Sequence, residues 1–256
     1  MRMLSRRNTR IKRTRKKQEI LEHPKPPIPS ISEDILKDIQ VSSEEVYIVG
    51  GGPSLKNFGF SSLADKCTIT INKSIFHVPN PDYFISVDYT FLKKVSKKVF
   101  NSIPAKKFFV ADFGYPFLKE TNKQIIDTRY NMVYDLRDYN LLIRAQRQDG
   151  IGYTFNEFRT GRNSGFCAFQ LAVILGFKKI YFLGIDLNRR GKTHYHEGYG
   201  ERLKTFVPKL AKYYDYFKMG LEQLERERPD IQVISCSLES RLNNIISYCP
   251  IKETLR

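Results

Sequence analysis

The 256-residue chain lacks most of the patterns by which common site chemistries are recognised in a sequence. Its four cysteines, Cys67, Cys167, Cys236 and Cys249, show no Cys-x-x-Cys or Cys-x-x-His spacing. Neither a zinc site nor a disulfide framework is therefore expected, and the thiols read as buried and reduced. No run of 18 apolar residues occurs, so no transmembrane helix is expected. The basic N-terminus is followed by no apolar segment and does not read as a secretory signal; a cytoplasmic protein is the expectation. There is no Asp-x-Asp pair, no Gly-Lys-Ser/Thr after a glycine-rich turn, and no acidic residue among positions 1–17. Histidine is scarce, with four in the chain.

What is present begins with charge. The net charge is +16, and nine cations fall within residues 1–17. Such a tail attracts polyanions, either nucleic acid or an anionic membrane face, and it serves equally as a solvated extension with no specific partner. The proline-rich "EHPKPPIPSISED" that follows cannot be a regular helix or a central strand. Residues 1–44 are accordingly read as a basic, proline-rich extension and residues 45–256 as one folded domain. Within it, about 113–158 is less regular, and its aromatic and arginine content marks a lid or acceptor-side insertion.

Apolar content of 41% is enough for a substantial core. Short β-branched and aromatic runs recur: "VYIVG" from Val46, "CTITIN" from Cys67, "DYFISVD" from Asp82, "KKFFVAD" from Lys106, "KKIYFLGID" from Lys178 and "IQVISCS" from Ile231. Each reads as a buried parallel strand. "NSGFCAFQLAVILGF" (Asn163–Phe177) is apolar nearly all round and predicts a deeply buried helix. Leu203, Phe206, Val207, Leu210, Tyr214, Phe217, Leu221 and Leu224 recur at helical spacing, which predicts an amphipathic helix. The alternation implies an α/β fold with a doubly wound, mostly parallel, Rossmann-like sheet.

Four stretches carry candidate chemistry. In "VYIVGGGPSL" a strand runs into Gly50, Gly51 and Gly52, with Pro53 at a first helical position; backbone N–H groups in such a turn can meet an anion. Leu55 occupies the third glycine position of the dinucleotide fingerprint, so a tight turn without ligand remains open. Asn72, in "INKS", falls at the carboxyl end of the second strand, where it reads a base or sugar hydroxyl or merely caps a turn. "GRNSG" (Gly161–Gly165) opens the buried helix; Asn163 or Ser164 caps it, and Arg162 beside a helix N-terminus favours phosphate. "FLGIDLNRRGKTHYHEGY" places Asp186 beyond a strand end, then Arg189, Arg190, Lys192, His194 and His196. An imidazole there is a candidate general base; the alternative is a polar surface loop. Arg162, Arg189, Arg190 and Lys192 are candidates to stabilise a leaving phosphate.

Taken together, "GGGPSL", "INKS", "NSG", "LGIDLN", "THY" and "VISCSLESRL" occur in the order found in bacterial sialyltransferases that use CMP-sialic acid. The chain also resembles the related flagellin glycosyltransferases and the 6-hydroxymethylpterin pyrophosphokinase-like proteins. The resemblance runs from about Val46 to the C-terminus and is weakest in the middle. It implies a nucleotide-binding α/β fold, a CMP-sugar donor as co-substrate with no cofactor required, and direct displacement at the sugar carbon without an essential metal. Carried over residue by residue, it implies Gly51, Gly52 and Ser54 on the phosphate side and Asn72 on the nucleotide. Ser164 and Gly165 then lie under the donor, Gly184, Ile185 and Asp186 at ribose or base, and His194 is the general base. Asn188 stands where the resemblance leads one to expect a tyrosine, Gly51 where it leads one to expect asparagine, and Arg162 lies one position from an expected arginine. These departures bear on the donor sugar more than on the nucleotide.

The acceptor is then a hydroxyl on a glycan, or on a modified base in DNA if the tail recruits nucleic acid. A homo-oligomer is left open. Two other readings stand beside this one. One is an ATP-dependent pyrophosphokinase with Asp88 and Asp186 as Mg²⁺ ligands; the other is a nucleic-acid-binding protein acting through its tail.

Overall fold

In this computed structural model, residues 39, 41, 43–112, 118–121, 124–127, 132–135, 137–188, 194–195 and 203–255 are described. In chain order they form β1 (Glu45–Val49), β2 (Thr68–Ile71), β3 (Tyr83–Ser86), α1 (Lys97–Ser102) and β4 (Lys106–Asp112). Then come β5 (Leu118–Thr121), β6 (Gln124–Asp127), β7 (Met132–Asp135), β8 (Leu141–Ala145), α2 (Ser164–Ile174) and β9 (Lys179–Leu183). The last are α3 (Leu203–Glu227), β10 (Gln232–Ser235), β11 (Ser247–Tyr248) and α4 (Ile251–Thr254). The basic tail and most of the proline-rich stretch lie outside the described residues.

Eight strands make one sheet in the order β11-β10-β9-β1-β2-β3-β4-β8, and every described pairing within it is parallel. Continuous apolar runs produce this arrangement because both faces are covered. Along β1, Val46 and Ile48 enter the core under α2, while Tyr47 and Val49 enter a second cluster on the opposite face. Nine of the 11 residues of α2 are buried, as its all-round apolar sequence requires. Phe166, Phe169 and Phe182 each meet Phe217 of α3, with ring centroids 5.6 to 6.3 Å apart. Burying such a ring contributes about 1.5–3 kcal/mol. Gly176, at φ +90°, follows the helix end, a conformation that stops a helix cheaply only in glycine.

The expected strands all occur: β4 keeps both bounds, β1 begins and ends one residue earlier, and the other four lose one residue at the start and one to three at the end. Other features differ from the sequence reading. The folded part reaches back before residue 45, because Ile39 is buried in the main core and Val41 packs against it. Within 113–158, β5, β6 and β7 form a separate antiparallel sheet, but β8 belongs to the main sheet beside β4. Its burial alternates with an arginine at a half-buried position, the pattern of an edge strand rather than of a doubly covered one. The two-residue β11 is exposed and too short to leave an apolar pattern.

Candidate active site

β1 is paired with β2 on one side and β9 on the other. The chain builds the sheet outward through β2, β3, β4 and β8, then restarts at β9 and builds the other way through β10 and β11. Loops leaving β1 and β9 therefore diverge, and a crevice opens at the carboxyl ends of the strands, where open α/β sheets bind ligands. A cleft of about 160 Å³ lies there.

The floor of the cleft is the glycine turn against the end of β9. Gly50 N–H donates to Leu183 O at 2.8 Å and Gly52 N–H to Gly184 O at 2.8 Å. A Cβ on Gly52 would fall 2.4 Å from Asp186 Oδ2 and 2.6 Å from Gly184 O, so only glycine permits this approach. Gly184 itself sits at φ +65°. Pro53–Leu55 forms a short 3-10 turn with proline at its start, as the sequence leads one to expect. Asp186 is buried, and its two oxygens are already engaged: Oδ2 accepts from Ser54 N–H at 2.8 Å and Oδ1 from Ser54 Oγ at 2.6 Å. Ser237 Oγ, 3.0 Å from Ser54 Oγ, accepts Gly184 N–H at 3.0 Å. The Asp186–Ser54–Ser237 network is a brace that locks the two turns together. Ser54 does not itself line the cleft.

One wall is the N-terminus of α2. Asn163 Oδ1 accepts from Phe166 N–H at 2.8 Å and caps the helix, settling the choice between Asn163 and Ser164. Ser164 Oγ instead accepts from Val87 N–H at 3.1 Å, so its own hydroxyl proton can point into the cleft. Ser164 and Gly165 both line it, and among the described residues no acceptor meets their backbone N–H groups. The positive end of the α2 dipole thus faces the cavity. Donors of the glycine turn are largely committed to β9, so the anion-binding capacity foreseen for that turn resides here.

Asn72 lies opposite at the end of β2, with φ +53°. Its Oδ1 accepts from Ser86 Oγ at 2.7 Å, which orients the amide Nδ2–H₂ as the group left for a ligand. Gly51, Ile185 and Asn188 complete the lining on the β1 and β9 sides, and Asn188 Nδ2 donates to Glu239 O at 3.1 Å. His194 lines the same cleft, half-buried. Burial first, and then the ammonium of Lys73, push its pKa below the ordinary 6.5.

Two expected contributors stand apart. Arg162 is exposed, has φ +53°, and does not line the cleft; an α2 capped by Asn163 turns the preceding residue outward. Arg190, together with Arg189, Lys192 and His196, lies outside the described residues. Asp88, the second metal candidate of the pyrophosphokinase reading, has Oδ1 engaged by Thr90 N–H and Thr90 Oγ at 2.8 Å each and Oδ2 by Lys94 at 3.1 Å. Among the described residues no group of three His, Cys, Asp or Glu side chains gathers as a metal site would. No helix of the described residues is long and apolar enough to cross a membrane.

The sequence reading missed Lys73 and the α3 residues lining the cleft, Leu210 and Tyr213. The signal for Tyr213 was available: three residues beyond Leu210 on a helix is the same face. Next to it, Arg241 lays its guanidinium 4.1 Å over the Tyr214 ring and donates its backbone N–H to Asp186 O at 2.8 Å.

No protein-family model and no curated protein matches the chain. Solved structures do. The sialyltransferase CstII from Campylobacter jejuni, in complex with a substrate analogue, cytidine-5'-monophosphate, aligns with a TM-score of 0.50 at 17% identity, covering 82% of this chain and 87% of that one. The fold is that of a bacterial sialyltransferase. The monofunctional alpha-2,3-sialyltransferase Cst-I from Campylobacter jejuni aligns at a TM-score of 0.49 and 19% identity, covering 81% of each chain. A complex of CST-II with trisaccharide acceptor and CMP gives 0.47 and 18%, covering 80% and 86%. The likeness is one of fold; the side chains in the crevice are this chain's own.

Proposed function

We propose that this protein is a glycosyltransferase that takes a CMP-activated sugar and passes the sugar to an acceptor hydroxyl, with His194 as the general base. The observation that carries the reading is the meeting of four features in one cleft: the glycine turn, the Asn72 amide, the α2 N-terminus and a histidine. The likeness to a fold solved with cytidine-5'-monophosphate supports the choice of nucleotide.

In this mechanism the acceptor oxygen attacks the sugar carbon as the bond from that carbon to the phosphate oxygen breaks. His194 takes the acceptor proton, which requires the neutral imidazole. CMP leaves with the bonding electrons. The growing charge on its phosphate meets the N–H groups of Ser164 and Gly165 and the Ser164 hydroxyl, donors already aimed before reaction. Asn72 Nδ2 holds a nucleotide acceptor atom, and Gly51, Gly52, Gly184, Ile185 and Asn188 shape the floor on which the nucleotide lies. Asp186 lies on the cleft wall at ribose or base, and Ser54, one layer beneath, holds it and the floor in place. The reaction proceeds without an essential metal, because helix N–H groups and side-chain donors take the place of a cation. Arg190 remains a candidate for the phosphate.

A thermal-shift panel of CMP, UDP, GDP and ATP tests the nucleotide. At a hundred times its dissociation constant, CMP should stabilise the fold by about 2.7 kcal/mol, a rise of several degrees, while the others do little. Stabilisation by ATP alone, dependent on Mg²⁺, would overturn the reading in favour of phosphoryl chemistry.

Lys73→Met tests the electrostatics of the base. Removing the ammonium should raise the His194 pKa toward 6.5, since Lys73 is one of the two causes holding it down. The acid limb of the kcat/KM profile should move to higher pH by the same amount. An unmoved limb would detach His194 from the rate.

A further inference from the structure

We propose that Phe60, His77 and Tyr195 form an aromatic seat that positions His194, and that this seat ties the base to the donor turn itself. The inference deepens the glycosyltransferase reading and rests on it for the role of His194; the contacts themselves do not depend on it.

Tyr195 follows His194 directly, so whatever holds Tyr195 also holds the backbone from which His194 projects. Its ring lies 5.4 Å from Phe60 and 5.3 Å, edge-on at 74°, from His77. Phe60 is steadied in turn by Phe58, edge-on at 5.1 Å and 86°. Tyr195 N–H donates to Gly51 O at 3.0 Å. Burial of the Tyr195 ring raises its phenol pKa well above 10.0, so the ring is neutral and seated at any working pH.

The origin of the partners gives the seat its meaning. Phe60 opens the 3-10 turn Phe60–Leu63, which comes off β1 after the glycine turn. His77 caps the 3-10 turn that begins at Asn72, after β2. His194 and Tyr195 belong to the segment after β9. Three segments that leave the carboxyl ends of β1, β2 and β9 are thus rejoined by one ring and one backbone hydrogen bond. Gly51 lines the donor floor, and its carbonyl is the point of attachment. A donor that settles the turn therefore also bears on the base, where a misplacement of about 1 Å is enough to cost catalysis. Phe60, His77 and Tyr195 are positioning residues: none is required to touch substrate.

Among the described residues Lys73 is the charged group that acts on His194, Asp186 and Tyr213 line the same cleft, and His77 meets the adjoining Tyr195 ring. Phe60→Ala leaves all of them in place and removes only the seat, and Phe60 is partly buried rather than a core ring. We expect kcat to fall about 10- to 100-fold with little change in donor KM, and CMP binding by calorimetry to stay within about twofold. In the full chain, NMR titration of the histidine rings, with His194 assigned by comparison with His194→Gln, should show its pKa rising toward 6.5 as the ring loses its buried place. His77→Ala, at an exposed residue, should act in the same direction.

A Phe60→Ala variant with unaltered kcat and an unaltered His194 titration would overturn the seat. Failure of the unaltered chain to bind CMP would count against the glycosyltransferase reading instead, and the NMR titration would still decide the seat.

Discussion

His194→Ala is expected to lower kcat by about 10²–10⁴-fold, the range typical of losing a positioned general base, while CMP affinity stays within about twofold. The split follows from placement. Binding contacts come from the glycine floor, Asn72 and the α2 N-terminus; His194 lies on the same cleft but is held by its own loop through Tyr195. Single-turnover transfer and calorimetric CMP binding, measured on one preparation, separate the two. Retained turnover would remove His194 from the mechanism.

The pH dependence follows with a definite sign. Burial and Lys73 lower the His194 pKa below 6.5, so the neutral base prevails at pH 7 and the acid limb of kcat/KM falls below 6.5. In His194→Ala that limb should vanish from whatever slow reaction persists. The same shift bears on stability. Between the lowered folded pKa and the ordinary unfolded one, the unfolded chain binds more protons, so stability rises with pH in that window. The contribution of His194 is therefore fully present above 6.5 and declines as pH falls through its folded pKa.

The second large effect is expected at Gly52. Gly52→Ala would drive a methyl group to within 2.4 Å of Asp186 Oδ2 and 2.6 Å of Gly184 O. Neither neighbour yields easily: Asp186 is tied to Ser54 through both oxygens, and the Gly184 carbonyl accepts the Gly52 N–H itself. Overpacking of this kind costs about 1–3 kcal/mol, or about 2–4 °C in Tm for each kcal/mol in a chain of this size. CMP affinity should fall as well, about tenfold or beyond, because the floor of the cleft is what must move. Gly59→Ala is the control, since a Cβ there meets nothing within 4 Å. If Gly52→Ala binds CMP and melts as the unaltered chain does, the turn is not the donor floor.

Legibility in the sequence depended on how far each feature was set by local chemistry. The six buried parallel strands and the two long helices were readable, because burial on both faces demands unbroken apolar runs and a helix face demands its own period. β8 was not readable: at the sheet edge it alternates and carries Arg144. The three strands of the small antiparallel sheet are four residues each, too short to show a period. In the cleft, Gly51, Asn72 and Gly184 could be singled out from their places at strand ends, Ser164 from a helix start, and His194 as one of few histidines. Tyr213 looked like one more residue of an amphipathic helix, and Lys73 like one more surface cation. Arg162 misled for a related reason: nearness in sequence to a helix N-terminus does not fix which way a side chain turns.

Residue order alone thus settles the fold class, the glycine turn, the Asn163–Ser164 helix start and the short list of candidate bases, since propensity, periodicity and backbone freedom act over a few residues. Tertiary structure alone decides that Asp186, on the cleft wall, is tied to Ser54, that the Gly50 and Gly52 N–H groups bond the end of β9 and the residue after it, and that Tyr195 N–H is tied to Gly51 O. These roles depend on hydrogen bonds between residues more than a hundred positions apart, and their geometry exists only once the strand order brings β1 beside β9.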